Sequence, residues 1–175
     1  MKTIITVILM SMSTTLTIFD FNNNSDISNW KIVDDVVMGG RSNGNFKINK
    51  EGYGEFSGKI SLENNGGFSS LQHQMKTLQV AAYSKAVLRI KGDGKTYQFR
   101  VKNSVNDNAS YVYEFKTTED WMTIEVPFKD MAPQFRGRKL DQPHYQGKTM
   151  QQITFLVGNK KEETFKLLID HIELK

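Results

Sequence analysis

The chain contains no cysteine and only three histidines among its 175 residues. Without cysteine it forms no disulfide bond, no thiolate metal site and no cysteine nucleophile. The histidines, His73, His144 and His171, are too far apart in sequence for any familiar short metal motif. The sequence therefore predicts neither a metal nor a cofactor.

The sequence also lacks a concentrated run of charge. Its net charge of +4 comes from 23 basic and 19 acidic residues, and the lysines are scattered among carboxylates. A nucleic-acid-binding chain typically clusters its basic residues and places aromatic residues between them. The pattern favours a solvated surface and predicts no nucleic-acid partner.

The N-terminal segment, residues 1–17, has the order of a short secretory signal peptide. Lys2 precedes an apolar run, and small polar residues from Ser11 to Thr17 follow it. The run is far too short to span a bilayer, so no transmembrane span is predicted. The alternative is a leader that is disordered or pairs as a strand. We expect one folded domain over residues 18–175, exported or periplasmic with a signal peptide and cytoplasmic without one.

Most of the chain alternates apolar and polar side chains, which is the period of half-buried β-strands. The clearest example places Tyr97, Phe99 and Val101 on one face. Clusters of glycine, asparagine and aspartate separate such segments, and residues 75–86 offer at most one helical turn. The sequence therefore predicts an all-β fold, an antiparallel β-sandwich of about nine or ten strands.

Two further features concern the packing of this sandwich. Residues 133–147 form the longest predicted irregular loop, and long loops in small domains are usually functional or disordered. Trp30 and Trp121 lie on strand patterns, which favours a place in the core for both.

An acidic pair precedes two glycines in the segment that ends in Met38-Gly39-Gly40-Arg41-Ser42. Paired glycines allow positive φ angles and close backbone approach. Asp34 and Asp35 have two interpretations: they hydrogen-bond the turn, or they form a polar patch with Arg41 at the rim of a sheet. Neighbours on a strand point to opposite faces, so the two carboxylates cannot face one substrate. No catalytic constellation is predicted, and we expect a protein that is not an enzyme.

Two asparagines and an aromatic residue mark the next candidate segment. Asn64 and Asn65 precede two glycines, which by itself predicts a hairpin turn. Phe68 follows directly, and an aromatic ring beside two amides is typical of a recognition surface. The alternative is a buried Phe68 with asparagines that satisfy the local backbone.

Arg136 and Arg138 flank a glycine in the predicted long loop. Their guanidinium groups could face the carboxylates of a partner. Alternatively, one arginine pairs with Asp34 or Asp35 and fastens this loop to the first segment. We expect at least one such acidic and basic pair to be close in space.

Four segments in this order and spacing carry a family resemblance: residues 30–42, 62–70 and 91–97, then 126–128 followed by 135–138. The chain resembles the complex I intermediate-associated protein 30 family from about Ile18 to Leu174. The resemblance implies a galactose-binding-like jelly-roll fold and, for the mitochondrial members, a chaperone-like role in the assembly of respiratory complex I. The leader contains no arginine, which argues against a mitochondrial transit sequence. We therefore expect a bacterial member of the family with an unassigned client.

The resemblance implies a non-enzymatic assembly factor whose partner is a protein client, such as a respiratory complex subunit or an assembly intermediate. The alternative function is a carbohydrate-binding module, since jelly rolls of this type serve both. A stacked, solvent-facing tryptophan would favour sugar. A polar patch of Asp35, Arg41, Asn65 and Arg138 would favour protein. The expected partner-binding residues are Asp34, Asp35, Arg41, Asn64, Asn65, Phe68, Arg136 and Arg138.

Overall fold

A computed structural model describes residues 14–175 as two antiparallel β-sheets that enclose one hydrophobic core. The thirteen strands are β1 (Leu16–Asp20), β2 (Trp30–Asp34), β3 (Asn43–Ile48), β4 (Gly54–Ile60), β5 (Ser69–Gln79), β6 (Lys85–Lys91), β7 (Thr96–Lys102), β8 (Ser110–Lys116), β9 (Trp121–Pro127), β10 (Ala132–Phe135), β11 (Arg138–Lys139), β12 (Thr149–Val157) and β13 (Glu163–Leu174). Single 3-10 turns cover Asp35–Met38 and Phe128–Asp130, and a turn with positive φ at Asn64 and Asn65 covers Glu63–Asn65. The predicted β-sandwich is confirmed.

The predicted leader falls mostly outside the described residues, because these begin at residue 14. Strand β1 starts at Leu16, where Leu16 pairs with Leu174 and Thr17 with Glu173 of β13. The first strand thus begins two residues before the predicted domain boundary at residue 18. Within the described residues no helix is long and apolar enough to cross a bilayer.

The structure has thirteen strands where about nine or ten were predicted. The difference arises chiefly because short strands, such as β10 and β11, contain too few residues to show an alternating pattern. The predicted irregular loop over residues 133–147 is wrong in its first part. Phe135 pairs with Arg138 across a two-residue turn, in which Arg136 and Gly137 have φ angles of +48° and +76°. Two positive φ angles give a tight hairpin turn, which joins β10 to β11. Residues 75–86 also form no helical turn, since β5 continues to Gln79 and β6 starts at Lys85.

One sheet has six strands in the order β3-β4-β13-β6-β9, with β1 paired to β13. The other sheet has seven strands in the order β11-β10-β8-β7-β12-β5-β2. Their inner faces supply the core, and the predicted alternation of Tyr97, Phe99 and Val101 is confirmed because all three are buried. Burial of a large apolar side chain stabilises by about 1.5–3 kcal/mol, so this interior holds the two sheets together.

The two tryptophans differ from each other. Trp30 is buried and stacks on His73 at a centroid distance of 4.5 Å, as predicted. The core assignment for Trp121 is wrong: its ring contacts Tyr53 and Arg89 on the outer face of the six-stranded sheet. The inner face of β9 is occupied by Met122 and its alternate neighbours, and adjacent residues on a strand point to opposite faces.

The strand register defines two ends of the sandwich. Asp34 and Val157 both pair with Ser69, so β2, β5 and β12 meet at one end, here called the motif end. The β10–β11 turn and the β7–β8 connection lie at the other end, because Gln134 pairs with Ser110. We call this the hairpin end.

Candidate functional site

Two connections between the sheets meet at the motif end. Residues 35–42 link β2 to β3 and are called the first loop; residues 61–68 link β4 to β5 and are called the second loop. Each crosses from one sheet to the other: the first joins the edge strands β2 and β3, and the second joins their neighbours β4 and β5. The loops contain most of the residues that the sequence singled out.

Asp35 lies fully buried between the two loops, with 0% exposure. Its carboxylate accepts hydrogen bonds from the backbone N–H of Ser42 at 2.9 Å, of Gly67 at 2.6 Å and of Phe68 at 3.2 Å. The Ser42 hydroxyl also donates to it. One carboxylate therefore joins both loops, which is the turn-holding role among the two sequence interpretations. The surface patch expected to contain Asp35 does not contain it.

The environment of Asp35 favours its charged form. Burial alone raises the pKa of this carboxyl, but the hydrogen bonds from Ser42, Gly67 and Phe68 outweigh it, and the pKa lies below its ordinary value of 3.8. Hydrogen bonds donated to a carboxylate stabilise the ion. Asp35 is therefore a permanently charged structural anion at neutral pH.

Two glycines pack directly against this carboxylate. A Cβ atom at Gly40 would lie 2.3 Å from Asp35 Oδ1, and a Cβ atom at Gly66 would lie 2.6 Å from Asp35 Oδ2. No side chain larger than hydrogen fits at either position without movement. Gly39 instead has a φ of +92°. The expected roles of the paired glycines, positive φ and close approach, are thus divided between neighbours.

Asp34 is half-buried and acts separately from Asp35. Its Oδ2 accepts a hydrogen bond from the backbone N–H of Gly44 at 2.9 Å. Two buried oxygen atoms, Asp34 Oδ1 and the hydroxyl of Ser69, make no hydrogen bond within residues 14–175. The carboxylate therefore fastens the start of β3 to the end of β2.

The first loop exposes apolar side chains at its tip. Val36, Val37 and Met38 are 58%, 73% and 62% exposed, and Leu62 of the second loop is 41% exposed. These four side chains are here called the apolar tip. Sequence reasoning missed them, although three consecutive apolar residues between an acidic pair and two glycines depart from the alternation of a half-buried strand. That break in alternation is the signal that could have identified them.

The rim of the apolar tip is polar. Arg41 Nε lies 3.3 Å from Glu63 Oε2, and both side chains are more than half exposed. Asn64 Nδ2 donates to the carbonyl oxygen of Gly39 at 3.1 Å and joins the two loops. Asn65 is exposed with a φ of +60°, and Phe68 is half-buried. Of the expected partner-binding residues, Arg41, Asn64 and Asn65 are therefore exposed on the two loops that carry the tip.

Arg136 and Arg138 lie elsewhere, and the expected pairing with Asp34 or Asp35 is wrong. Strand β11 is at the opposite edge of the seven-stranded sheet from β2, which is six strand spacings of about 4.8 Å each. The hairpin also points to the opposite end of the sandwich. No ion pair within the described range 14–175 joins these groups. Because the sequence gives no strand order, it could not exclude the pairing.

A group of possible metal ligands occurs away from these loops. Asp20 on β1 and Asp170 and His171 on β13 each offer an atom within 4.8 Å of the others. His171 Nδ1 lies 3.1 Å from Asp170 Oδ2. This hydrogen bond at the surface explains why two of the three groups are close together. Exposed acidic groups are common in proteins without an ion, and we assign no metal to it.

Solved structures with the same architecture include carbohydrate-binding modules. A family 11 module from Clostridium thermocellum, in complex with a β-1,3-1,4-mixed-linked tetrasaccharide, is 20% identical with a TM-score of 0.67, covering 94% of this chain and 96% of that one. A family 29 module is 12% identical with a TM-score of 0.54, covering 93% and 91%. An agarase is 10% identical with a TM-score of 0.61, covering 92% of this chain and 24% of its own.

These likenesses show a shared fold, and the expected galactose-binding-like jelly roll is confirmed. The family comparison is more specific. Residues 19–169 match the model of the family described as Complex I intermediate-associated protein 30. The match spans both loops of the motif end and the β10–β11 hairpin.

Proposed function

The chain belongs to the complex I intermediate-associated protein 30 family, and from that premise we propose that it is a non-enzymatic, protein-binding assembly factor. The apolar tip is its docking surface. The observation that carries the proposal is the exposure of Val36, Val37 and Met38 on a loop that Asp35 holds in place. The client is a respiratory complex subunit or an assembly intermediate.

Exposure of this kind is costly for a free protein. Apolar side chains in contact with water lose the free energy that burial would provide, about 1.5–3 kcal/mol for a fully buried valine or methionine. Contiguous exposed apolar residues with a polar rim are typical of protein interaction sites. Here the rim is the ion pair of Arg41 with Glu63 together with Asn64 and Asn65.

The rigidity of the loops supports the same proposal. A surface that is ordered before binding loses less conformational entropy when a partner docks. Asp35 accepts hydrogen bonds from both loops, and Asn64 joins them again at Gly39. The tip is thus presented on a fixed support, as binding residues on loops commonly are.

The acidic residues of the motif are committed to this support. The carboxylates of Asp34 and Asp35 accept backbone hydrogen bonds from Gly44, Ser42 and Gly67. A general base must reach a substrate proton, but Asp35 is fully buried and the one Asp34 oxygen without a hydrogen bond, Oδ1, is buried as well. This engagement supports the non-enzymatic part of the proposal.

Affinity purification of the tagged protein from its own cells, followed by mass spectrometry, tests the proposal. We expect Val37→Asp to reduce recovery of the client at least about tenfold, since a loss of 1.4 kcal/mol in binding corresponds to that factor. Val105→Asp is the matched control, because Val105 is also an exposed valine, at 37%, but lies at the hairpin end. Equal loss with both variants, or full recovery with Val37→Asp, would contradict the proposal.

Carbohydrate binding is the second candidate function. Its support is the fold that the chain shares with carbohydrate-binding modules, one of them in complex with a tetrasaccharide. The positions of the two tryptophans argue against a fully exposed tryptophan platform. Trp30 is buried, and Trp121 is half-buried with the Tyr53 ring 4.5 Å and the Arg89 guanidinium 5.7 Å from its ring. A glycan array on the unmodified protein tests this candidate. Binding of no glycan would reject it.

A further inference from the structure

The hairpin end contains an open cleft that the apolar tip does not reach. It encloses about 460 Å³ between the β7–β8 connection and the segment that begins at the β10–β11 hairpin. Small-molecule sites in proteins typically have volumes of about 300–1,000 Å³. Its lining includes Asn103, Asp107, Asn108, Tyr111, Phe135 and Gln142.

The amides of this cleft are free to bind a ligand. Within residues 14–175, the side chains of Asn103, Asn108 and Gln142 make no hydrogen bond to another protein group, whereas Asn64 at the motif end donates to Gly39. Each amide offers two donors and an oxygen acceptor. Three of them on one cleft match a ligand that both donates and accepts hydrogen bonds, as hydroxyl groups do.

Aromatic rings form the apolar wall. Phe135 is 39% exposed, and the guanidinium of Arg136 lies 5.3 Å from its ring centroid. The Tyr111 ring lies 5.1 Å from that of buried Tyr145, which fixes its position. An apolar ring face beside polar amides suits a ligand with an apolar C–H face and a hydroxyl periphery.

The only charged side chain in the described lining is an acid. Asp107 Oδ2 accepts from the backbone N–H of Ser104 at 3.0 Å, and the Asp107 carbonyl accepts from Lys102 Nζ at 2.6 Å. These contacts hold the loop and leave the other carboxylate oxygen available as an acceptor. A carboxylate repels an anionic ligand and accepts hydrogen bonds from a neutral one.

We propose that this cleft binds a neutral carbohydrate, with Phe135 as the stacking surface and Asn103, Asn108, Gln142 and Asp107 as hydroxyl ligands. The inference rests on the second candidate function and is independent of protein binding at the apolar tip. It also gives the 135–138 segment a role, because Phe135 lines the cleft and the guanidinium of Arg136 lies over its ring.

An NMR titration of the full ¹⁵N-labelled chain with neutral sugars locates the site. The probes are glucose, galactose, mannose and β-linked glucose tetramers, with glucuronate and inorganic phosphate as anionic probes. We expect a neutral sugar to shift the amide signals of Asn103, Asn108 and Gln142. Phe135→Ala should weaken binding about two- to twelvefold, because aromatic contacts contribute about 0.5–1.5 kcal/mol, and Gln142→Ala should also weaken it.

Val105→Ala is the matched control and should bind as the unmodified chain does, with all variants keeping the same melting temperature. Absence of binding to every sugar would reject both the cleft and the second candidate function. Sugar-induced shifts confined to Gln98, Arg100 and Gln152, on the outer face of the seven-stranded sheet, would keep that function and reject the cleft. Tighter binding of glucuronate or phosphate would reject the neutral ligand class.

Discussion

The two ends of the sandwich use polar side chains in opposite ways. At the motif end, the side chains of Asp35 and Asn64 form hydrogen bonds with the protein itself, and the tip that they support is apolar. At the hairpin end, Asn108 and Gln142 make no such bond among the described residues and line an open cleft. Polar residues in the family motif thus build a support, whereas unremarkable amides elsewhere remain available for binding.

The largest effect should come from the carboxylate of the motif end. In Asp35→Asn the amide cannot accept all the hydrogen bonds from Ser42, Gly67 and Phe68, and buried donors lose a charged acceptor. We expect the free energy of unfolding to fall by about 3 kcal/mol or more, which lowers the melting temperature by about 6–12 °C in a chain of this size.

Glu63→Gln is the control for this change, since Glu63 is an exposed acid that pairs with Arg41. Exposed pairs contribute about 0–1 kcal/mol. Equal melting temperatures for the Asp35→Asn variant and the unmodified chain would show that the buried carboxylate does not hold the loops.

Acid should weaken the same support. The pKa of Asp35 is lowered in the folded state, so the unfolded chain binds this proton more readily. The stability that Asp35 contributes is fully present above its ordinary pKa of 3.8 and is lost as pH falls through the folded pKa. Urea unfolding is measured at pH values from about 6 to below about 3. The free energy of unfolding should fall less over this range for Asp35→Asn than for the unmodified chain. Identical pH profiles would contradict the assignment.

Gly40→Ala should have the next largest effect. The added Cβ would lie 2.3 Å from Asp35 Oδ1, so the carboxylate must move, and overpacking of this kind costs about 1–3 kcal/mol. Gly39→Ala is the control at the neighbouring position, because a Cβ atom added there has nothing within 4 Å. Its only cost is the strain of an alanine at a φ of +92°, about 1–2 kcal/mol. A greater loss with Gly39→Ala would contradict the close packing against Asp35.

At the hairpin end, a substitution should stabilise the chain slightly. Arg136 has a φ of +48° in a two-residue turn, a conformation that asparagine followed by glycine adopts more readily. Arg136→Asn should raise the free energy of unfolding by up to about 1 kcal/mol. Thermal unfolding measures the change, and a drop in melting temperature would show that the contact of Arg136 with Phe135 matters more than the turn strain.

The sequence predicted what depends on local pattern. Alternation placed Tyr97 and Phe99 in the core, and the glycine pair predicted both a positive φ and a close approach. It could not predict what depends on strand order, so Arg138 was expected beside Asp35 although β11 and β2 are at opposite edges. Burial of a charged residue is also invisible in sequence, because two of the hydrogen bonds that stabilise Asp35 come from residues 32 and 33 positions away.

Photocrosslinking in the native cell tests the account most directly. A photoreactive amino acid replaces Val37 in one tagged variant and Val105 in another, since both side chains are exposed and only the first lies in the apolar tip. We expect a defined protein adduct from position 37 and none from position 105. An adduct from position 105 alone, or no adduct from either position, would contradict the claim that the apolar tip docks a protein client.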